Sequence, residues 1–310
     1  MDFSLWPTTA QPWISVLEGC RWAEARGWHG VWVPDHFMTN VPVDAGSERE
    51  LDPWLEAWTT QAALAALVPR VRIGAMVSGN RYRHPAVVAN MAGTIDEISE
   101  GRLVVGLGAG WQENEHHRYG IDLGSRPERS DALQEACALI RGLLDEPRTD
   151  HDGAHYRLDG APCAPAGYEG RRIPILVGGK GERRTLRTVA HHADEWNMWA
   201  FPDEVGPKRE VIARWCDEID RDPAEIRVTI SVMAQRCDSD ADRDALLDRL
   251  GNHGGLVGAS DDEIADAVGR YAEAGVDELV VADFNLSPAS RADVLGDLQD
   301  RVFTDFSGFS

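Results

Sequence analysis

Short apolar runs recur along this chain, separated by stretches of helical period. The runs are FSLW (Phe3–Trp6), GVWVPD (Gly30–Asp35), VRIGAMV (Val71–Val77), RLVVGLG (Arg102–Gly108), IPILVGG (Ile173–Gly179), DEWNMW (Asp194–Trp199), IRVTISVMA (Ile226–Ala234) and DELVVAD (Asp277–Asp283). They are apolar throughout rather than alternating, the pattern of parallel strands covered on both faces. Between them, Trp13, Val16, Leu17, Cys20 and Ala23 share one helical face; Val88, Met91, Ile95 and Ile98 share another; Leu133, Ala136, Cys137, Ile140 and Leu143 share a third. Further helices are expected over Pro53–Leu67, around Leu186, Val189 and Ala193, and over Ser287–Arg301. ARGWHGVW, SEGRLVV and AEAGVDELVV each place a glycine just before a strand, as a helix C-terminus favours. Eight such units close most naturally as a (β/α)8 TIM barrel; an open doubly wound sheet is the other arrangement of the same units.

No linker or low-complexity stretch divides the chain, so residues 1–310 are expected to form a single barrel domain. Longer segments at 36–52, 145–172 and 236–263 interrupt the alternation. The first and last follow strands and belong at the C-terminal rim, where barrel active sites form. The middle one follows a helix, so its base lies at the opposite end, and its glycines, prolines and polar residues suit a hairpin.

Composition narrows the partners. A formal net charge of −21 over 310 residues repels nucleic acid and anionic membrane. The five cysteines, Cys20, Cys137, Cys163, Cys216 and Cys237, are scattered without a Cys-x-x-Cys pair, which fits reduced thiols. The opening MDFSLWPTTAQPW has neither the basic nor the apolar region of a signal peptide, and no apolar run approaches the 18 or so residues of a membrane span. A cytoplasmic protein acting on a small molecule is the expectation.

Four stretches carry candidate chemistry. RLVVGLGAGWQENE ends an apolar run in Gly106, Gly108 and Gly110, but a dinucleotide fingerprint needs a glycine where this chain has Trp111. PDHF places Asp35 and His36 at a strand end, either as a proton-transfer pair or as a turn aspartate beside a surface histidine. In GAMVSGNRYRHP, small Ser78 and Gly79 let a planar ligand approach the backbone, and Pro85 starts a helix. VGGKGERRTLR is the phosphate candidate: a glycine turn opens a helix, with Lys180, Arg183, Arg184 and Arg187 adding charge to an otherwise acidic chain. It lacks the GK[ST] of a P-loop. The adjacent pairs His116–His117 and His191–His192 point about 100° apart on a helix and make no chelate, so no metal is expected. G-x-S-x-G is absent, which disfavours an esterase elbow. Of the eleven tryptophans, Trp32, Trp111, Trp196 and Trp199 lie at or beside strand ends and are expected to wall a pocket for a flat or apolar ligand.

Three stretches, RYRHPAVVANMAGTIDEISEGRLVVGLGAGWQENEHHRYGI, IPILVGGKGERRTLRTVAHHADEWN and AGVDELVV, resemble in order and spacing the signatures of the bacterial luciferase-like family, closest to its branch using the deazaflavin coenzyme F420. The resemblance implies a (β/α)8 barrel with a flavin or deazaflavin at its C-terminal mouth, redox chemistry and a homodimer. It implies that Asp35 contacts the cofactor, that His36 is the acid/base, and that Met76–Val77 is a non-prolyl cis peptide behind the cofactor's middle ring, flanked by Ser78 and Gly79. Gly108, Ala109 and Gly110 would make room for the cofactor and Asn114 would contact it. Gly178, Gly179, Lys180 and Gly181 would hold its phosphate, with Lys180 and Arg184 near its anionic tail. The family's sugar-phosphate dehydrogenases have a glutamate where this chain has Trp111, and a tryptophan where it reads FMTN. Both departures turn the expected substrate from a sugar phosphate to an apolar or aromatic compound. The expectation is hydride transfer between F420 and such a substrate. A reduced-FMN monooxygenase and a non-catalytic flavin-binding protein are the alternatives.

Overall fold

The computed structural model describes residues 1–251, 253–284 and 286–306. In chain order the strands are β1 (Asp2–Trp6), β2 (Gly30–Val33), β3 (Arg72–Ala75), β4 (Ser78–Gly79), β5 (Leu103–Gly108), β6 (Thr149–Asp152), β7 (Arg157–Ala161), β8 (Ile175–Gly178), β9 (Glu195–Trp199), β10 (Arg227–Arg236), β11 (Gly254–Gly258) and β12 (Glu278–Ala282). The helices are α1 (Trp13–Ala25), α2 (Ala57–Leu67), α3 (Pro85–Ile98), α4 (Glu113–Tyr119), α5 (Arg126–Asp145), α6 (Thr185–His192), α7 (Pro202–Asp217), α8 (Asp240–Leu250), α9 (Asp261–Glu273) and α10 (Pro288–Arg301). Strands pair in parallel in the order β1-β2-β3-β5-β8-β9-β10-β12, and β12 returns to β1 with Asp2 beside Glu278 and Trp6 beside Ala282. The eight-stranded (β/α)8 barrel is therefore closed, and the open sheet is excluded.

Each of the eight expected strands forms. Gly27, Gly101 and Gly275 have positive φ of 75°, 83° and 75° at the helix–strand joins where the sequence placed them. Side-chain alternation divides two apolar layers. Trp6, Trp32, Met76, Val104, Leu176, Val280 and Ala282 pack inside the barrel, while neighbours such as Leu5, Val31, Val105 and Val177 face the helices in the larger cluster. At the N-terminal end, Arg72 and Arg227 join Glu278, Glu195 and Asp2 in an ionic floor. No helix among the described residues is long and apolar enough to cross a membrane.

Three features differ from the sequence expectation. α2 begins at Ala57 rather than Pro53, because the Glu56 carboxylate accepts the Trp58 and Thr59 amides and caps the helix there. The segment after β10 holds a helix and β11, which pairs with Val232–Arg236 beyond the point where β9 stops. The 145–172 segment does contain a hairpin, β6–β7, but it does not stay at the barrel's base. Its tip climbs along α5, and the Tyr156 hydroxyl accepts from Asn80 Nδ2 at 3.0 Å beside the end of β4.

Candidate active site

The chain leaves β3 through the cis Met76–Val77 peptide and resumes as β4 against the end of β5. The glycines of β5 and β8 seat this bulge. A Cβ at Gly106 would lie 1.9 Å from the Ala75 carbonyl oxygen; at Gly108 it would lie 2.5 Å, and at Gly178 2.9 Å, from the Val77 side chain. Gly106 and Gly108 thus make room for protein, the bulge itself. Ala109 and Gly110, the latter at φ +85°, turn the chain out of the rim.

Asp35 holds the bulge from the β2 side. It is buried, and its carboxylate accepts from Ser78 Oγ at 2.6 Å, Gly79 N at 3.2 Å and Arg83 at 2.8 and 3.1 Å. Burial opposes the Arg83 charge, but Asp35 and Glu56 outweigh it and hold the guanidinium pKa above its ordinary value. Asp35 is an organiser of the rim whose oxygens are already occupied.

His36, the next residue, points its Nδ1 at Glu115 Oε1, 2.8 Å away. Glu115 lies in α4 and is fully buried; its other oxygen accepts the Phe37 amide at 2.8 Å, and the Tyr82 hydroxyl donates to Oε1. Burial and the Glu115 charge keep the Tyr82 phenol protonated far above its ordinary range. The His36 ring meets Trp54 and Trp111 edge-on, with centroids at 5.9 and 5.4 Å. Glu115 and Tyr82 were not singled out from sequence. The usable signal was an acidic residue in the first turn of a short polar helix directly after a barrel strand.

The glycine turn Gly178–Gly181 leads into α6, with Gly179 at φ +127°. Lys180 Nζ lies 3.0 Å from Glu204 Oε1, and Arg184 Nε lies 2.8 Å from Asp131 Oδ1, so both expected tail contacts already carry a carboxylate partner. Asn114 is buried and donates to the Thr39 carbonyl at 2.9 Å, anchoring the loop after β2; its Oδ1 has no partner among the described residues.

The tryptophans separate. Trp111 is half exposed at the rim beside His36. Trp199 ends β9 on the inner face, 5.4 Å from Trp6 and 5.3 Å from His253. Trp32 and Trp196 do not wall a pocket, because both are fully buried. Trp32 fills the barrel interior and donates to Glu278 on the floor at 3.2 Å. Trp196 faces the helices, and its Nε1 donates to the Gly179 carbonyl at 2.8 Å, supporting the glycine turn.

The buried-carboxylate histidine, the cis bulge and the glycine turn before α6 thus gather at the C-terminal mouth of a closed parallel barrel, the end where such barrels carry their active sites. The sequence profile of the luciferase-like monooxygenase family matches residues 1–250, and the chain belongs to that family. It is similar to the 5,10-methylenetetrahydromethanopterin reductase of Methanolobus tindarius, 25% identical over 297 residues that take in 96% of this chain and 78% of the relative. Among solved structures, the coenzyme F420 dependent tetrahydromethanopterin reductase from Methanopyrus kandleri superposes with a TM-score of 0.78, at 17% identity over 99% of both chains. The monooxygenase RslO1 from Streptomyces bottropensis does so with a TM-score of 0.78, at 17% identity over 99% of this chain and 100% of that one. Reductases and monooxygenases share this fold.

Proposed function

We propose that this protein is an oxidoreductase that exchanges hydride between bound coenzyme F420 and an apolar or aromatic organic substrate. The observation that carries the reading is the His36–Glu115 contact at the mouth. With Nδ1 held by a buried carboxylate, Nε2 is the nitrogen left for the substrate, and the imidazole is equipped to hold or release a proton there. The residues present fit the cofactor. The cis bulge stands at the barrel mouth, where at Gly79 the Tyr82 ring lies 2.5 Å from the place of a Cβ, and the Gly178–Gly181 turn leading toward α6 suits a phosphate. When bound, F420 supplies two-electron hydride chemistry. The chain's own part is to seat the ring on the bulge, hold the phosphate at α6 and move a proton at His36, while Trp111 and Trp199 supply apolar surface.

A second reading, an FMN-dependent monooxygenase, is favoured by the pairing of Lys180 with Glu204 and Arg184 with Asp131, which leaves less free charge for a polyanionic tail. Titration of the purified protein with oxidised F420 and, in parallel, with FMN decides between them. Micromolar binding of F420 and weaker binding of FMN is the expected result. The reverse preference moves the assignment to oxygen-dependent chemistry, and binding of neither removes the site.

A further inference from the structure

Glu115 accepts three hydrogen bonds, from the Phe37 amide on one oxygen and from His36 Nδ1 and the Tyr82 hydroxyl on the other. An amide N–H only donates, and an ionised carboxylate only accepts. The donor set therefore dictates where the imidazole proton sits. We infer that Glu115 is a positioning residue that locks neutral His36 in the Nδ1–H tautomer, leaving Nε2 as the sole acceptor for a substrate proton. The inference rests on the reading of His36 as the acid/base. When a substrate O–H bond breaks, its electron pair stays on oxygen and its proton goes to Nε2, while Nδ1–H remains on Glu115. The reverse transfer returns the proton from Nε2 to oxygen.

The surroundings leave this role to Glu115 alone. Asp35, next in the chain, is occupied by Arg83, Ser78 and Gly79, and Arg83 is also paired with Glu56. Trp54 and Trp111 meet the imidazole in T-shaped ring contacts and bring no carboxylate. Tyr82, kept protonated by burial and by Glu115, donates to the carboxylate and takes nothing from it. Among the described residues Glu115 is the one carboxylate in contact with the imidazole.

The test is a tautomer measurement on the protein without cofactor. Long-range 1H–15N correlation on protein labelled at histidine nitrogen, near pH 8.5 where imidazoles are mostly neutral, reads each ring nitrogen as protonated or bare. Loss of one signal pair in His36→Gln assigns His36. The native protein is expected to show Nδ1 protonated and Nε2 bare. In Glu115→Gln the Phe37 amide still requires an oxygen, so the new NH2 group faces His36. It donates to Nδ1, and the tautomer reverses to Nε2–H. Tyr82→Phe removes one donor to Glu115 and is expected to leave the tautomer unchanged. With F420 turnover in hand, Glu115→Gln should lower kcat on the order of 10²- to 10⁴-fold, the range of general acid–base catalysis, with the wrong-tautomer histidine of hydrolytic triads at its upper end. Its F420 affinity should stay within about threefold, and Glu115→Asp should restore part of the rate. Bare Nδ1 in the native protein, or no reversal in folded Glu115→Gln, overturns the inference. Reversal without any change in turnover upholds the tautomer lock and overturns instead the acid/base reading of His36.

Discussion

Gly106 is glycine because the Ala75 carbonyl occupies the place of its side chain, 1.9 Å from where a Cβ would stand. That carbonyl belongs to the strand leading into the cis bulge and is not the end of a flexible side chain, so it cannot simply swing away. Overpacking of this kind typically costs about 1–3 kcal/mol. Gly106→Ala is therefore expected to lower the unfolding free energy by that much, read as a lower urea midpoint at unchanged m-value, and to weaken cofactor binding because the bulge shifts with the carbonyl. A loss below about 0.5 kcal/mol would show that the bulge is not seated as described. The glycine run was visible in the sequence, yet its purpose was read as space for a ligand. The neighbour it accommodates sits some thirty residues earlier, on an adjacent strand, and nothing local to GLGAG reveals it. The same distance hid Glu115. His36 could be picked out by its place after a strand, but its partner lies on α4, brought to it only by the pairing of β2, β3 and β5.

The α6 turn shows how one element can carry opposed demands. Its glycines and its helix end favour an anion, whereas Glu204, in the first turn of α7, engages Lys180 at 3.0 Å and also accepts the Phe201 amide at 3.0 Å. Exposed pairs of this kind are worth about 0–1 kcal/mol. If Lys180 serves an anionic tail, Glu204→Gln frees it while the amide oxygen still caps α7. The expected outcome is two- to fivefold tighter F420 binding by fluorescence titration, with thermal stability nearly unchanged. Equal or weaker binding would remove Lys180 from the cofactor site. Elements were readable where they were apolar and missed where they were not. The eight barrel strands stood out as buried runs and the C′ glycines marked their joins. α4 is polar along its whole length, and β11 (GGLVG) is short and glycine-rich, so periodicity had little to register in either. Trp32 and Trp196 were placed at strand ends without regard to the period of two, which turns one into the barrel and the other toward the helices.

The barrel divides its polar groups between two ends, with the bulge, His36 and the glycine turn at the mouth and an ionic floor at the other. The floor brings three carboxylates, Glu278, Glu195 and Asp2, against two guanidinium groups, Arg72 and Arg227. One acid is in excess, and the two buried glutamates respond to the floor differently. Burial pushes Glu278 up, but Arg72, His29 and Arg227 together outweigh it, so its carboxyl lies below the ordinary carboxylate range. Burial pushes Glu195 up as well, and there it prevails over Arg72. The two therefore act on stability with opposite sign. Glu278 contributes stability that is present above its unfolded value and is lost as pH falls through its depressed folded value. Glu195 contributes stability that is complete below its unfolded value and is lost as pH rises through its raised folded value. Glu278→Gln leaves both arginines without their shared buried counter-charge and removes the ionised acceptor of Trp32 Nε1, so a loss of about 3–5 kcal/mol at pH 7 is expected, shrinking toward pH 4. Glu195→Gln removes a carboxylate whose ionised form burial disfavours, so it should cost less at pH 7 than Glu278→Gln, with its stability relative to the parent protein improving as pH rises from 4.5 to 7. Urea unfolding of both variants across that range reads the difference directly. Equal losses with parallel pH profiles would mean that burial does not set the two glutamates apart.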